Sequence, residues 1–132
     1  MPSRIANITV DCADPWLLAN FWSDVLGLPV HPDSEPSDDD VGIPLDGTGR
    51  ELLFQRVPES KSVKNRLHLC LEPGQLREQE VDRLIERGAV LLADHRNPDG
   101  TGWAVLTDVE GNEFCVLRSA AERAAAHQPA SA

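Results

Sequence analysis

The chain has 132 residues, 41 % of them hydrophobic, which is enough to bury a sizeable core in one domain, and no apolar run approaches the roughly 20 residues that span a bilayer. Its formal charge of −10, from 22 acidic and 12 basic residues, repels phosphate backbones and anionic lipid and argues against nucleic-acid and membrane partners. An anionic substrate would need a local cation, for which Arg56, Arg66 and Arg96 are the candidates. The first residues lack the hydrophobic core of a secretory signal, so the expected location is the cytoplasm. Cys12, Cys70 and Cys115 are widely spaced and form no Cys-x-x-Cys pair. That pattern predicts reduced thiols, each small and mostly buried, rather than a disulfide framework or a zinc knuckle.

In chain order, residues 5–12 alternate, with Ile8 and Val10 apolar against Asn7, Thr9 and Asp11, which predicts a half-buried strand. Asp14-Pro15 opens a helix with an acceptor at the N-cap and proline at the first helical position. Leu18, Phe21, Trp22, Val25 and Leu26 then recur at three- and four-residue spacing, and Gly27 supplies the stop. Val30 starts a short strand that gives way to an acidic, proline-bearing loop through Asp38-Asp39-Asp40. Residues 41–45 and 51–57 read as a hairpin around Gly47-Thr48-Gly49, with Pro44 placing its first strand at an edge. Residues 58–65 form a linker. Residues 66–72 predict a strand with Leu67, Leu69 and Leu71 on one face and His68, Cys70 and Glu72 on the other. Pro73-Gly74 starts a second helix that carries Leu76, Val81, Leu84 and Ile85 and stops at Gly88. A strand over 89–93, a polar loop over 94–102 and a hairpin of 103–107 with 113–118 follow. Residues 119–132 are an Ala-rich tail, partly helical and disordered toward its end.

The order strand, helix, glycine stop occurs twice, over 7–27 and 68–88, at an offset of 61, and Phe54 and Phe114 lie 60 apart. Duplication at that length predicts an α+β domain, residues 1–118, of two tandem βαβββ modules, 4–57 and 66–118, forming a curved, cup-shaped mixed sheet. Each helix covers the apolar face of its own strands and leaves the other face to the cup. Alternation then assigns Asn7, Thr9 and Asp11, Leu53 and Gln55, His68 and Cys70, and Glu113, Cys115 and Leu117 to the cup. Asn7 with His68, and Gln55 with Cys115, are equivalent pairs that converge to offer an imidazole, two carboxamides and a thiol. Two readings follow: a divalent metal held by His68 with Gln55 and Cys115, or a polar pocket with a hydrogen-bonded His68 and a packed Cys115 thiol. Trp103 either lines the pocket or packs in the sheet, and His95 with Arg96 can reach over the cup as a lid. Trp22, on helix spacing, belongs to the core, while His31 and His127 belong to the surface. No phosphate-binding glycine loop, Gly-x-Ser-x-Gly elbow or His-Glu-x-x-His motif is present.

Three stretches carry a family pattern: Asp14-Pro15 with Phe21-Trp22 and Leu26-Gly27; Lys64-Asn65-Arg66-Leu67-His68-Leu69; and the run from Asp108-Val109-Glu110-Gly111-Asn112 to Glu113-Phe114-Cys115-Val116-Leu117. With the paired modules, they resemble the vicinal oxygen chelate superfamily, which holds lactoylglutathione lyase, extradiol dioxygenases and bleomycin-resistance proteins, and within it the glyoxalase-like domain proteins. The resemblance covers residues 4–118. It implies that Asn7, Gln55, His68 and Cys115 occupy the metal-ligand positions of the metal-dependent members, although only His68 is an ordinary ligand in its place. What it implies for activity is a metal-assisted lyase or isomerase that acts on a substrate with vicinal oxygens and uses one divalent ion, Zn, Fe, Ni or Mn. The alternative is a metal-free small-molecule binding or drug-sequestration protein of bleomycin-resistance type. The substrate-binding set would be Asn7, Thr9, Leu53, Gln55, His68, Cys70, Trp103, Cys115 and Leu117. The family habit further implies a homodimer.

Overall fold

In the computed structural model, which describes residues 1–127, the chain divides into a unit of residues 1–62 and a second that begins at Val63. The first unit contains strand β1 (Asn7–Cys12), helix α1 (Pro15–Leu26), strand β2 (Asp40–Pro44) and strand β3 (Glu51–Arg56). β3 is central, parallel to β1 and antiparallel to β2. α1 starts where the Asp14 carboxylate accepts a hydrogen bond from Leu17 N at 3.2 Å, with Pro15 at its first position, and it stops at Gly27 in the left-handed region. Its buried stripe of Leu18, Phe21, Trp22 and Val25 lies over β2 and β3, against Val41, Ile43, Leu52 and Phe54. Trp22 is a core residue, edge-on to Phe21 at 5.8 Å between ring centroids.

Two expectations fail in this unit. Val30 starts no strand: the chain between α1 and β2 is irregular and meets β2 through one backbone bond, His31 N to Gly42 O at 2.8 Å. Pro29, Pro32 and Pro36 remove three backbone donors from that segment, which cannot sustain a ladder. The first unit is therefore βαββ rather than βαβββ. Ile8, expected beneath the helix, is 41 % exposed, because α1 covers β2 and β3 and leaves the outer strand β1 largely uncovered.

The second unit contains β4 (Cys70–Leu71), α2 (Arg77–Glu86), β5 (Val90–Asp94), β6 (Ala104–Thr107), β7 (Glu113–Val116) and α3 (Ala120–His127). Its sheet order is β4-β7-β6-β5, with β4 parallel to β7 and the other pairs antiparallel. Val81 and Leu84 of α2 are buried, as are Ala104, Leu106, Phe114 and Val116 of the sheet. Arg77 is buried at the start of α2 and donates to Gly102 O at 2.7 Å and Gly100 O at 3.2 Å, while its backbone N donates to Glu122 of α3. Loop, α2 and α3 are thereby tied together. Gly102 is required here: a β-carbon would stand 1.9 Å from His95 O, which pairs across the loop with Trp103.

The strand expected over 66–72 is only Cys70–Leu71, and Leu67 is 89 % exposed. β4 is an edge strand with one neighbour, four-residue β7, and residues 65–68 leave the ladder. Asn65 N donates instead to the Glu113 side chain at 2.9 Å. α2 begins at Arg77 rather than at Pro73-Gly74, and Leu76 and Ile85 face solvent. Trp103 precedes β6 instead of opening it. In the tail, α3 ends at His127, and the disorder expected of its end falls on residues 128–132, outside the described residues.

Candidate functional site

In the second unit the parallel register sets Cys70 directly opposite Cys115, with Cys115 N donating to Leu69 O and Leu117 N to Leu71 O, both at 2.9 Å. His68 lies two residues before Cys70, outside the strand, and its imidazole comes to the two thiols. The imidazole nitrogen and the two sulfurs all lie within 4.8 Å of one another. Cys115 is 7 % exposed, whereas His68 and Cys70 are exposed, which corrects the expectation of a buried Cys70. Burial pushes the Cys115 thiol up from its ordinary range, the neighbouring Cys70 pushes it further, and Lys64 opposes both.

The turn before β7 positions Cys115. The buried carboxylate of Asp108 accepts from Glu110 N at 2.9 Å, Asn112 N at 3.0 Å and the Asn112 side chain, and Gly111 turns the chain at φ +86°. Glu113 shares a face with Cys115 and, through Asn65, holds the segment that carries His68. The sequence reading placed Glu113 on this face but overlooked its role as the anchor of that segment.

One imidazole and two thiols suit a tetrahedral zinc ion with one position left open, and they suit manganese or magnesium poorly, since those ions prefer oxygen donors. The sulfurs of a zinc site stand about 4 Å apart, which the spacing here, within 4.8 Å, accommodates with at most a small contraction. Cys70 was assigned to the cup from sequence but not to the metal, and its place opposite Cys115 is what enlists it. Trp103 is 44 % exposed and stacks on His95 at 5.1 Å between ring centroids, and Leu117 is half-buried at the end of β7. Arg96 is held by Asp94 at 2.8 Å, which lowers the Asp94 carboxyl and raises the guanidinium. Among the expected anion-binding arginines, Arg56 likewise pairs with Asp39 at 3.2 Å, and Arg66 is exposed.

In the first unit the register sets Asn7 opposite Glu51, Thr9 opposite Leu53 and Asp11 opposite Gln55. Asn7 and Gln55 are thus four positions apart along parallel strands, about 13 Å. The register also revises the internal equivalence. Asp11 opposite Gln55 matches Cys70 opposite Cys115, so the first strands correspond at an offset of 59 (11 to 70) and the last at 60 (55 to 115). Thr9, not Asn7, matches His68. Counting between glycine stops missed this because the connection into the helix is longer in the second unit, Cys70 to Arg77 against Asp11 to Pro15, and outweighs the shorter α2. A cavity of about 280 Å³ opens at the start of β1, where Asn7, Ile8 and Leu45 meet Arg50 and Glu51. The Arg50 Nε there is buried without a hydrogen-bond partner among the described residues. Neither residue was singled out from sequence.

The glyoxalase-like domain model matches residues 7–117. No curated protein matches the chain by sequence. Among solved structures, a fosfomycin resistance protein from Listeria monocytogenes, complexed with Mn(II) and 1S,2S-dihydroxypropylphosphonic acid, is 14 % identical, with a TM-score of 0.67 over 93 % of this chain and 95 % of that one. The hypothetical protein SA1046 from S. aureus is 19 % identical, with a TM-score of 0.64 over 89 % of this chain and 95 % of that one. A glyoxalase/bleomycin resistance/dioxygenase family enzyme from Burkholderia phytofirmans is 20 % identical, with a TM-score of 0.61 over 84 % and 94 %. At these identities the likeness is one of fold, and it agrees with the α+β arrangement of two mixed sheets. The chain belongs to the glyoxalase-like domain family of the vicinal oxygen chelate superfamily.

Proposed function

We infer that the second unit holds one divalent metal, zinc by preference, on His68, Cys70 and Cys115, and that the protein is a lyase or isomerase acting on a small substrate with vicinal oxygens. The observation that carries this reading is the convergence of one imidazole nitrogen and two sulfurs within 4.8 Å. When bound, the metal supplies a Lewis acid that stabilises negative charge on a substrate oxygen. The chain's own part is positional. Asp108 fixes the turn that aims Cys115, Glu113 holds the segment bearing His68, and burial on β7 shields Cys115 from water. The exposed apolar residues Val90, Leu91 and Leu92 on edge strand β5 support assembly as a homodimer, which sedimentation would read directly.

The test is elemental analysis of protein purified without chelator or affinity metal, beside His68→Ala. About one zinc per chain, lost in the variant, is the expected result, and its loss should abolish turnover of a hemithioacetal substrate. Full activity in His68→Ala would refute the metal-dependent mechanism. A metal-free binding protein of bleomycin-resistance type is the second reading, supported by the partly apolar cavity beside Arg50. It predicts thermal stabilisation by an apolar anionic ligand that Arg50→Ala removes.

A further inference from the structure

We propose that Cys70 and Cys115 are a redox couple that closes reversibly into a cross-strand disulfide and so switches the site off. The two residues are register partners on adjacent strands, with side chains on the same face and sulfurs within 4.8 Å. Neighbouring strands run about 4.8 Å apart, inside the window of about 4.4–6.8 Å between α-carbons that a disulfide spans. The spacing of paired strands is thus compatible with the bond. Exposure divides the labour: Cys70 is open to solvent and meets an oxidant first, while Cys115 is buried behind it and completes the bond.

The oxidant is a small-molecule disulfide such as oxidised glutathione. The Cys70 thiolate attacks one sulfur of the oxidant, breaking its S–S bond, releasing one thiol and forming a mixed disulfide. The Cys115 thiolate then attacks the Cys70 sulfur and releases the second thiol. Two protein thiols lose two electrons and two protons, and one disulfide becomes two thiols. The geometry of the couple stands without any metal; the switch rests on the metal reading above, because the disulfide would remove two of the three donors.

The experiment is titration of the reduced full-length protein with oxidised glutathione, with and without bound zinc, followed by tryptic mass mapping. The expected product links the peptides spanning 67–77 and 97–118, is two hydrogens lighter than the pair, and returns to the free peptides with dithiothreitol. Free thiols should fall from the three of the sequence to one, the remaining one being Cys12, whose thiol is buried and directed at Gln55 O. Cys12→Ser should leave the linkage intact. Glutathione retained on Cys70 with no link to Cys115 overturns the couple, as does a linkage through Cys12. Zinc released in step with the linkage supports the switch. If the linkage forms in protein that never binds zinc, the couple holds and the metal reading fails. If zinc binds and no linkage forms, the reverse is true.

Discussion

At the scale of the residue, two positions govern the site. Cys115 is raised by burial and by its neighbour, so a metal bound there would have to displace a proton held more tightly than usual. Because the thiols give up their protons on binding, zinc affinity should strengthen as pH rises, by about tenfold per pH unit for each proton released. Competition titrations at several pH values would show this slope, and Cys115→Ser should flatten it. The second position is Asp108, a buried carboxylate whose oxygens serve one turn. Asp108→Ala leaves buried donors unsatisfied, and a loss of about 2–3 kcal/mol in urea unfolding is expected, together with weaker zinc binding. Cys115 was legible in the sequence because alternation fixes which face a strand residue takes, and His68 because it is the ordinary ligand among the family's metal positions. The part played by Cys70 in the cluster was not, because cross-strand register is a property of two segments.

At the scale of the element, α2 depends on a polar cluster as well as on its apolar stripe. Glu80 is nearly buried, accepts from Arg83 at 2.6 Å and from Gln75 at 3.1 Å, and has its carboxyl lowered first by the Arg83 bond. A carboxyl lowered on folding contributes stability above its unfolded value of 4.5, and that stability is lost as pH falls through the lower folded value. Glu80→Gln should therefore cost about 1 kcal/mol at neutral pH, a figure moderated by the partial exposure of Arg83, and the difference from wild type should vanish in acid. Unfolding curves at neutral and acid pH would show it. α1, by contrast, was fully legible: N-cap, first-position proline, apolar stripe and glycine stop are all local signals. β4 and the missing strand at Val30 were not. A strand needs a neighbour to bond, and neither apolar alternation at Leu67 nor a single valine among prolines provides one.

At the scale of the whole molecule, each unit has its own aromatic centre, Phe54 in one and Phe114 in the other, both essentially inaccessible. Phe54→Ala should cost about 3–5 kcal/mol and remove hydrogen-exchange protection first from β1, β2 and β3. Protection lost first from β6 and β7 would contradict the division into units. No helix among the described residues is long and apolar enough to cross a membrane.

The sequence by itself determined the repeat of strand, helix and glycine stop, the start, stripe and stop of α1, and the family, because these rest on local periodicity and on short turn motifs. Tertiary structure decided which residues stand opposite one another. It moved the counterpart of His68 from Asn7 to Thr9, brought Cys70 against Cys115 and joined Arg50 and Glu51 to a cavity. The reason is physical: strand alternation repeats every two residues, so a two-residue slip preserves every inward and outward assignment while changing every partner.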